Sequence, residues 1–295
     1  MSQLDLYRET EHSTEQVVNV ASVRQLSPFR YPGGKTWLVP QAMRWVKKRR
    51  NGNCKVFVEP FVGGGIISLT IAAHGLADKC ILVERDDEIA AVWKTLIYGD
   101  AEWLARRIRN FELSADTANE VLSSEPKSTE EKAFQTILKN RTYHGGILAP
   151  GSGFLKNGEN GKGIHSRWYP ETLSNRIQAI LQFKHRLEFI EGDAFEIIDQ
   201  YIDDSSCTFF IDPPYTASKK KAGSRLYRFH EVDHEKIFEK MNQTAAAFML
   251  TYDDAPEIRD FCDKYSLDAV RVPMKGTHHI KYYELLICDN VTWIQ

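Results

Sequence analysis

Short runs of apolar, often β-branched residues alternate along the chain with longer stretches in which apolar residues recur every three or four positions. The run "KVFVEP" (55–60) is bounded by turn residues and reads as a buried strand. A glycine-rich turn follows, and then "IISLTIAAHG", a helix ending at Gly75. "CILVE" (80–84) is a second strand. Asp86 can cap the next helix, whose apolar residues Ile89, Val92, Trp93, Leu96 and Ile97 fall on one face. Further strands are expected at "LEFIEGD" (187–193), "CTFFIDPPY" (207–215), "AAFMLTYDD" (246–254), "AVRVP" (269–273) and "YELLICD" (283–289). All but the last two of these lead into helical patterns. The alternation predicts an α/β doubly wound sheet with a β-hairpin at its C-terminal edge.

The middle of the chain breaks this rhythm. From about 101 to 185 the pattern is helical, with Trp103 and Leu104 in one helix and Leu173, Ile177, Ile180 and Leu181 in another. Between them runs "KNRTYHGGILAPGSGFLKNGENGKGIHSRWYP", rich in glycine, asparagine and basic residues. Disordered segments are poor in aromatics, and this one carries Tyr143, His144, Phe154, Trp168 and Tyr169. It reads as an inserted, mainly helical recognition segment, since recognition residues sit on loops. The expected division is a flexible arm over 1–24, a sheet domain in two parts (25–100 and 186–295), and the insert over 101–185.

Composition narrows the classes. A chain of 295 residues with 42% hydrophobic content can build one large domain or two modest ones. It has no apolar run of about 18 residues and so no expected membrane span. The first 24 residues show neither a signal core nor a transit pattern, and the expected location is cytoplasmic. Five cysteines, at 54, 80, 207, 262 and 288, include no C-x-x-C pair, which points to buried thiols. The net charge of −2 is unlike that of a protein that coats nucleic acid, but basic residues cluster in "KKRR" (47–50) and "SKKKAGSR" (218–225).

Three stretches bear on chemistry. "FRYPGGKTWLVP" (29–40) ends like a phosphate-binding loop, yet that loop needs a glycine five residues before Gly34, where Phe29 stands. In "FVEPFVGGGIISL", Gly63-x-Gly65 lies between a strand and a helix, with Glu84 about 20 residues on at the end of the next strand. Glycines let backbone approach a ligand and a carboxylate can bond ribose hydroxyls, the layout for gripping a nucleoside. Ser68 replaces the third glycine of the dinucleotide pattern, which disfavours NAD. In "FFIDPPYTA", Asp212-Pro213-Pro214-Tyr215 closes a strand at the edge where open α/β sheets bind ligands. Asp212 and the Pro213 carbonyl are two fixed acceptors for an exocyclic amino group, and Tyr215 offers a face to a planar base. "HEVDH" (230–234) mimics a zinc-binding helix, but Asp233 is a natural N-cap, which puts His230 outside the helix. No metal is expected.

The ordered set "FRYPGGKTWLVP", "FVEPFVGGG", "VERD", "EGDAF" and "IDPPY" resembles the Dam-like, α-type adenine-specific DNA N6-methyltransferases over about residues 25 to 290. The resemblance implies a fold built on the methyltransferase sheet and S-adenosylmethionine as methyl donor. It implies that Tyr31, Lys35, Phe61, Gly63, Gly65, Glu84, Asp193 and Asp212 bind that donor, with Lys35 near a carboxylate. Glu84 would hold the ribose and Asp193 the cofactor's adenine amino group. The catalytic residues would be Asp212, Pro213, Pro214 and Tyr215, acting on an adenine flipped out of double-stranded DNA. Arg141, Tyr143 and His144 of the insert, together with Lys156 and Arg167, would read bases. Lys219, Lys220, Lys221 and Arg225 would meet phosphates. A restriction endonuclease acting on the same site is a possible partner. The insert departs from the Dam pattern at "NRTYHGGILAPGSG", so recognition of GATC does not follow. Methylation of cytosine N4, of RNA or of a protein glutamine would use similar geometry, and an inactive DNA-binding regulatory module would keep the basic clusters.

Overall fold

The computed structural model describes residues 18–31, 33–49, 54–214, 228–229, 231–275 and 281–291. Within these residues the strands form one seven-stranded sheet in the order β3-β2-β1-β4-β5-β7-β6. The strands are β1 (Val56–Glu59), β2 (Lys79–Glu84), β3 (Leu187–Glu191), β4 (Cys207–Ile211), β5 (Ala247–Asp253), β6 (Asp268–Lys275) and β7 (Lys281–Cys288). The first five run parallel, and β7 pairs antiparallel with both β5 and β6. The expected C-terminal hairpin is therefore present, with its second strand inserted inside the first. Pro273 fits the outermost place of β6, since proline has no N–H to give a second neighbour.

The strands alternate strictly between two cores, as a sheet covered on both faces requires. Phe57, Leu82, Phe210, Met249 and Leu286 join one cluster. Val58, Ile81, Phe209, Leu250 and Ile287 join the other, beneath α8 (Ala194–Tyr201), α9 (His234–Gln243) and α10 (Pro256–Tyr265). On the first face lie α1 (Val39–Arg49), α2 (Ile66–Ala73) and α3 (Asp87–Ile97). Asp86 caps α3 by accepting from the Glu88 N–H at 2.9 Å.

Helix α3 is buried on more than the expected single face: Ala90, Ala91 and Thr95 are buried as well as Trp93 and Leu96. A second helical layer covers it. This layer comprises α4 (Ala101–Arg109), α5 (Ala115–Ser123), α6 (Thr129–Thr142) and α7 (Pro170–Leu181). Leu104, Ile108, Phe134, Ile137, Leu173 and Ile177 of that layer belong to the same core cluster as the sheet residues Phe57 and Leu82. The two small alanines let α6 approach closely, and polar bonds fix its register. Lys139 meets Glu88 at 2.8 Å, Lys132 pairs with Asp87, and the Thr136 hydroxyl donates to the Glu88 carbonyl at 3.1 Å.

Helix α6 also takes residues that were expected in the loop, since it runs to Thr142 and includes Asn140 and Arg141. Ser128 caps it, its hydroxyl accepting from the Glu131 N–H, so a Ser-x-x-Glu start signal was present in the sequence. The rest of that stretch, 143–169, is irregular with short 3-10 turns. All five cysteines are buried thiols. No helix among the described residues is long and apolar enough to cross a membrane.

Candidate active site

In an open sheet of this order, the connections from β1 and β4 leave on opposite sides and a crevice opens at their C-terminal ends. A cavity of about 540 Å³ lies there. Its wall takes Glu59 from the end of β1, Glu84 from the end of β2, Asp193 from beyond β3 and Asp212 from beyond β4. Tyr31, Lys35, Phe61, Gly63, Gly65, Pro213 and Pro214 line it too. The described residues of the expected cofactor and catalytic sets thus meet in one cavity. Tyr215 lies outside the described residues.

The turn after β1 shows why glycine is needed. Gly63 and Gly65 have φ of +44° and +61°, where a side chain is strained. A Cβ on Gly63 would come 2.6 Å from the Tyr31 ring, and one on Gly65 would come 2.6 Å from Trp93. Tyr31 of "RYPGGK" therefore lies directly on the glycine turn, 32 positions away in sequence but adjacent in space. The Trp93 indole N–H donates to the Gly63 carbonyl at 3.1 Å and pins the turn to α3.

Lys35 does not point at a phosphate site. Its ammonium donates back to the Gly33 carbonyl at 2.8 Å and meets the Asp212 carboxylate at 2.9 Å and Glu284 at 3.6 Å. It is only 3% exposed. The Thr251 hydroxyl, on β5, donates to the same oxygen of Asp212 at 2.6 Å. Asp212 is thus held from two sides, and the prolines after it fix the backbone where it meets the cavity.

Three other carboxyls of the cavity wall, Glu59, Glu84 and Asp86, have raised proton affinities, chiefly through burial. Burial pushes Glu84 up to about 7, against the three backbone N–H groups that it accepts from, those of Gly63, Arg85 and Asp86. Two of these fall on Oε1 and one on Oε2, and a carboxylate has about four acceptor positions, so Oε2 keeps room for another donor. Glu59, 4% exposed, is pushed up to about 8 by burial, with nearby Asp212 adding to the effect. The Ser68 N–H at 3.0 Å and Lys35 oppose it. Asp193 caps α8, its carboxylate accepting from the Phe195 N–H at 2.8 Å.

The expected recognition residues divide. Arg141 does not stand on a surface that could enter a groove: it is 7% exposed and its guanidinium donates to the Pro28 carbonyl. Burial, with the charges of Arg176, Arg30 and Arg167 nearby, lowers its proton affinity to about 9. Its neighbour Asn140 ties the same strap, accepting from the Arg30 N–H at 2.8 Å and donating to the Arg30 carbonyl at 2.9 Å. Arg141 and Arg167 line the cavity, whereas Tyr143, His144 and Lys156 do not. Tyr143 is half-buried edge-to-face against Phe154, and His144 and Lys156 are exposed. Lys219, Lys220, Lys221 and Arg225 lie outside the described residues, as do His230 and residues 276–280. Asp233 caps α9 as expected, and His234 meets the Tyr252 hydroxyl at 3.1 Å.

Sequence reasoning passed over Glu59, Thr251 and Glu284. Glu59 stood within "FVEPFVGGG", and a charge at the end of an otherwise apolar strand was a usable signal. Glu284 interrupts "YYELLIC" in the same way. Nothing in the chain order marks Thr251 as a partner of Asp212.

A family model described as D12 class N6 adenine-specific DNA methyltransferase matches residues 31–272. The type II methyltransferase M.MjaIII of Methanocaldococcus jannaschii is 23% identical over 249 residues, which cover 77% of this chain and 84% of that protein. The type II beta methyltransferase M.BslI of Bacillus sp. is 24% identical over 171 residues, 53% of this chain but 18% of that protein. Among solved structures, a putative RNA methyltransferase from Pyrococcus horikoshii superposes with a TM-score of 0.41 at 11% identity, covering 91% of this chain and 90% of that one. An rRNA methylase from Streptococcus thermophilus does so with a TM-score of 0.32 at 10% identity, covering 85% and 93%.

Proposed function

The chain belongs to the D12 class of N6 adenine-specific DNA methyltransferases, and we propose that its cavity binds S-adenosylmethionine and receives an adenine flipped out of double-stranded DNA. The carrying observation is that Asp212-Pro213-Pro214, fixed by Lys35 and Thr251, opens on the same cavity as Glu84, Asp193 and the glycine turn. The donor set fits the cofactor. The glycine turn borders the cavity with no side chain to fill it, because Tyr31 and Trp93 pack too closely for a Cβ, Glu84 has an acceptor position for a ribose hydroxyl, and Asp193 can accept from an amino group. When bound, the cofactor supplies an activated methyl group with a thioether leaving group.

The target base cannot react inside the duplex and must leave the stack. Asp212 accepts one hydrogen of the adenine amino group, and the Pro213 carbonyl accepts the other. Holding both hydrogens in the plane of two acceptors aims the N6 lone pair away from them, toward the donor side of the cavity. Lys35 holds the Asp212 carboxylate in place, and Thr251 stops it from rotating. The chain thus contributes positioning and electrostatics. Tyr215 stacks on the flipped base, residues 101–185 read sequence, and Lys219, Lys220, Lys221 and Arg225 hold phosphates. The type II names of its relatives favour a partner endonuclease cutting the same site.

The test is transfer of a labelled methyl group to duplex DNA, single-stranded RNA and protein, followed by sequencing of modified adenines. The expected result is N6-methyladenine at one short site. Label on RNA, protein or cytosine with none on adenine in DNA would refute the reading.

A further inference from the structure

Four guanidiniums line the cavity: Arg30 from the strap before Tyr31, Arg141 near the end of α6, Arg167 before α7 and Arg176 within α7. Arg141 is 7% exposed, and the charges of Arg176, Arg30 and Arg167 are near enough to oppose its own. Arginine stays protonated in proteins, and Arg141, lowered to about 9, does so at neutral pH. The wall carries acids as well, but three of them face other cations. Asp212 meets Lys35 at 2.9 Å, Asp193 faces Arg85 at 4.0 Å and Asp86 faces Arg228 at 4.0 Å. Glu59 and Glu84 accept from backbone N–H groups, and no arginine charge is among the main influences on either. Glu231 is exposed. No carboxylate is among the main influences on Arg141. Arg141 and Arg176 are instead bonded to consecutive main-chain carbonyls. Arg141 donates to Pro28 through Nε and Nη2, and Arg176 donates to Ser27 through Nη1 at 3.0 Å. Those carbonyls fix the two forks in place and bring no countercharge. A guanidinium has five N–H donors, so both keep donors to give. Like charges placed together out of water are costly, and an anion that accepts from both offsets that cost.

We infer that Arg141 and Arg176 form a binding site for a DNA phosphodiester, one of the two that flank the target adenine. The inference rests on the DNA reading above. In a nucleotide the sugar holds base and phosphate apart, so an adenine seated at Asp212 carries its phosphodiester to another wall of the same cavity. Both arginines belong to helices of the insert, α6 and α7, whereas Glu59, Glu84, Asp193 and Asp212 stand at strand ends of the sheet. The anion therefore enters from the insert side. Two guanidinium forks suit the two free oxygens of a phosphodiester. The contact reads no base and acts on all sequences alike.

The experiment measures binding of duplexes that carry the site mapped by the methylation assay, with S-adenosylhomocysteine present to prevent turnover. One duplex is unmodified, and two others each carry a single uncharged methylphosphonate, on one side or the other of the target adenine. Wild type is expected to bind one of the two neutralised duplexes about tenfold more weakly. Arg176→Gln should bind the unmodified duplex about tenfold more weakly, with a salt slope smaller by about one, and should lose no further affinity on that neutralised duplex. A merely structural role for Arg176 predicts that the two losses add, and additive losses overturn the inference. Titration with S-adenosylmethionine separates the other anion that could enter the cavity, the cofactor's own carboxylate. Its affinity should stay within about twofold of wild type in Arg176→Gln, and a tenfold loss there with DNA binding intact also overturns the inference. Should Arg176→Gln fail to fold by circular dichroism, wild type alone decides: equal affinity for all three duplexes overturns the inference. Wild-type protein that methylates no duplex DNA would instead sink the DNA reading, so the two failures are distinguishable.

Discussion

Replacing Glu59 by glutamine should stabilise the protein at neutral pH and flatten its stability against pH. Burial raises the Glu59 carboxyl from 4.5 to about 8, while the unfolded chain keeps the ordinary value. Between those two values the folded state holds a proton that the unfolded state has released. Stability therefore falls as pH rises through this window, and the full loss is reached above the folded value. Each pKa unit corresponds to about 1.4 kcal/mol, so wild type should lose about 3 kcal/mol between pH 5 and pH 7.5 from this group alone. Glu59 is almost wholly shielded from solvent, so screening by water does not reduce this figure much. In Glu59→Gln the amide oxygen can still accept from the Ser68 N–H at 3.0 Å, and no charge is created at any pH. Other titrating groups are common to both proteins and largely cancel in the difference. Urea unfolding at pH 5, 6, 7 and 7.5, extrapolated linearly with a shared slope, measures that difference. It should grow by about 3 kcal/mol across the series. Parallel curves for the two proteins would show that Glu59 titrates normally in the folded state and that the reasoning is wrong.

The other outcomes can be stated briefly. Asp212→Ala should abolish methyl transfer while leaving the circular dichroism spectrum intact, and near-normal turnover would refute its role. Tyr215→Phe should keep much of the activity and Tyr215→Ala should lose most of it, because a base stacked on an aromatic ring is worth about 1–3 kcal/mol; equal losses would assign the work to the hydroxyl. Removing the charges of Lys219, Lys220, Lys221 and Arg225 should weaken DNA binding and make log affinity fall less steeply with log salt, and an unchanged slope would return them to solvated surface. Arg141→Met should leave the Pro28 carbonyl unpaired, cost about 1–3 kcal/mol of stability and leave site preference alone. Changes at Tyr143, His144, Lys156 or Arg167 should instead shift which sites are methylated on randomised duplexes, with wild-type preferences in all four placing recognition elsewhere.

Several parts of this protein were legible from the chain itself because their cause is local. Buried strands announce themselves as β-branched runs, since both faces must be apolar. Asp86 and Asp233 mark helix starts because a short acid satisfies the open N–H groups of the first turn. The order of the motifs from "RYPGGK" to "IDPPY" was enough to point to the family and to the sheet's C-terminal edge. What the chain could not show is which distant groups share one charge balance. Lys35 comes from before β1, Asp212 from after β4, Thr251 from β5 and Glu284 from β7, and only the parallel order of β1, β4 and β5 with β7 turned back beside them brings the four together. The burial of Arg141 was decided in the same way. Its sequence context is that of a basic residue near a loop, but α6 continues through it and packs on α3, which turns the guanidinium inward to the Pro28 carbonyl. Periodicity records which side of an element is apolar; it carries no information on what a polar side chain meets across the core, because that depends on elements more than a hundred residues away.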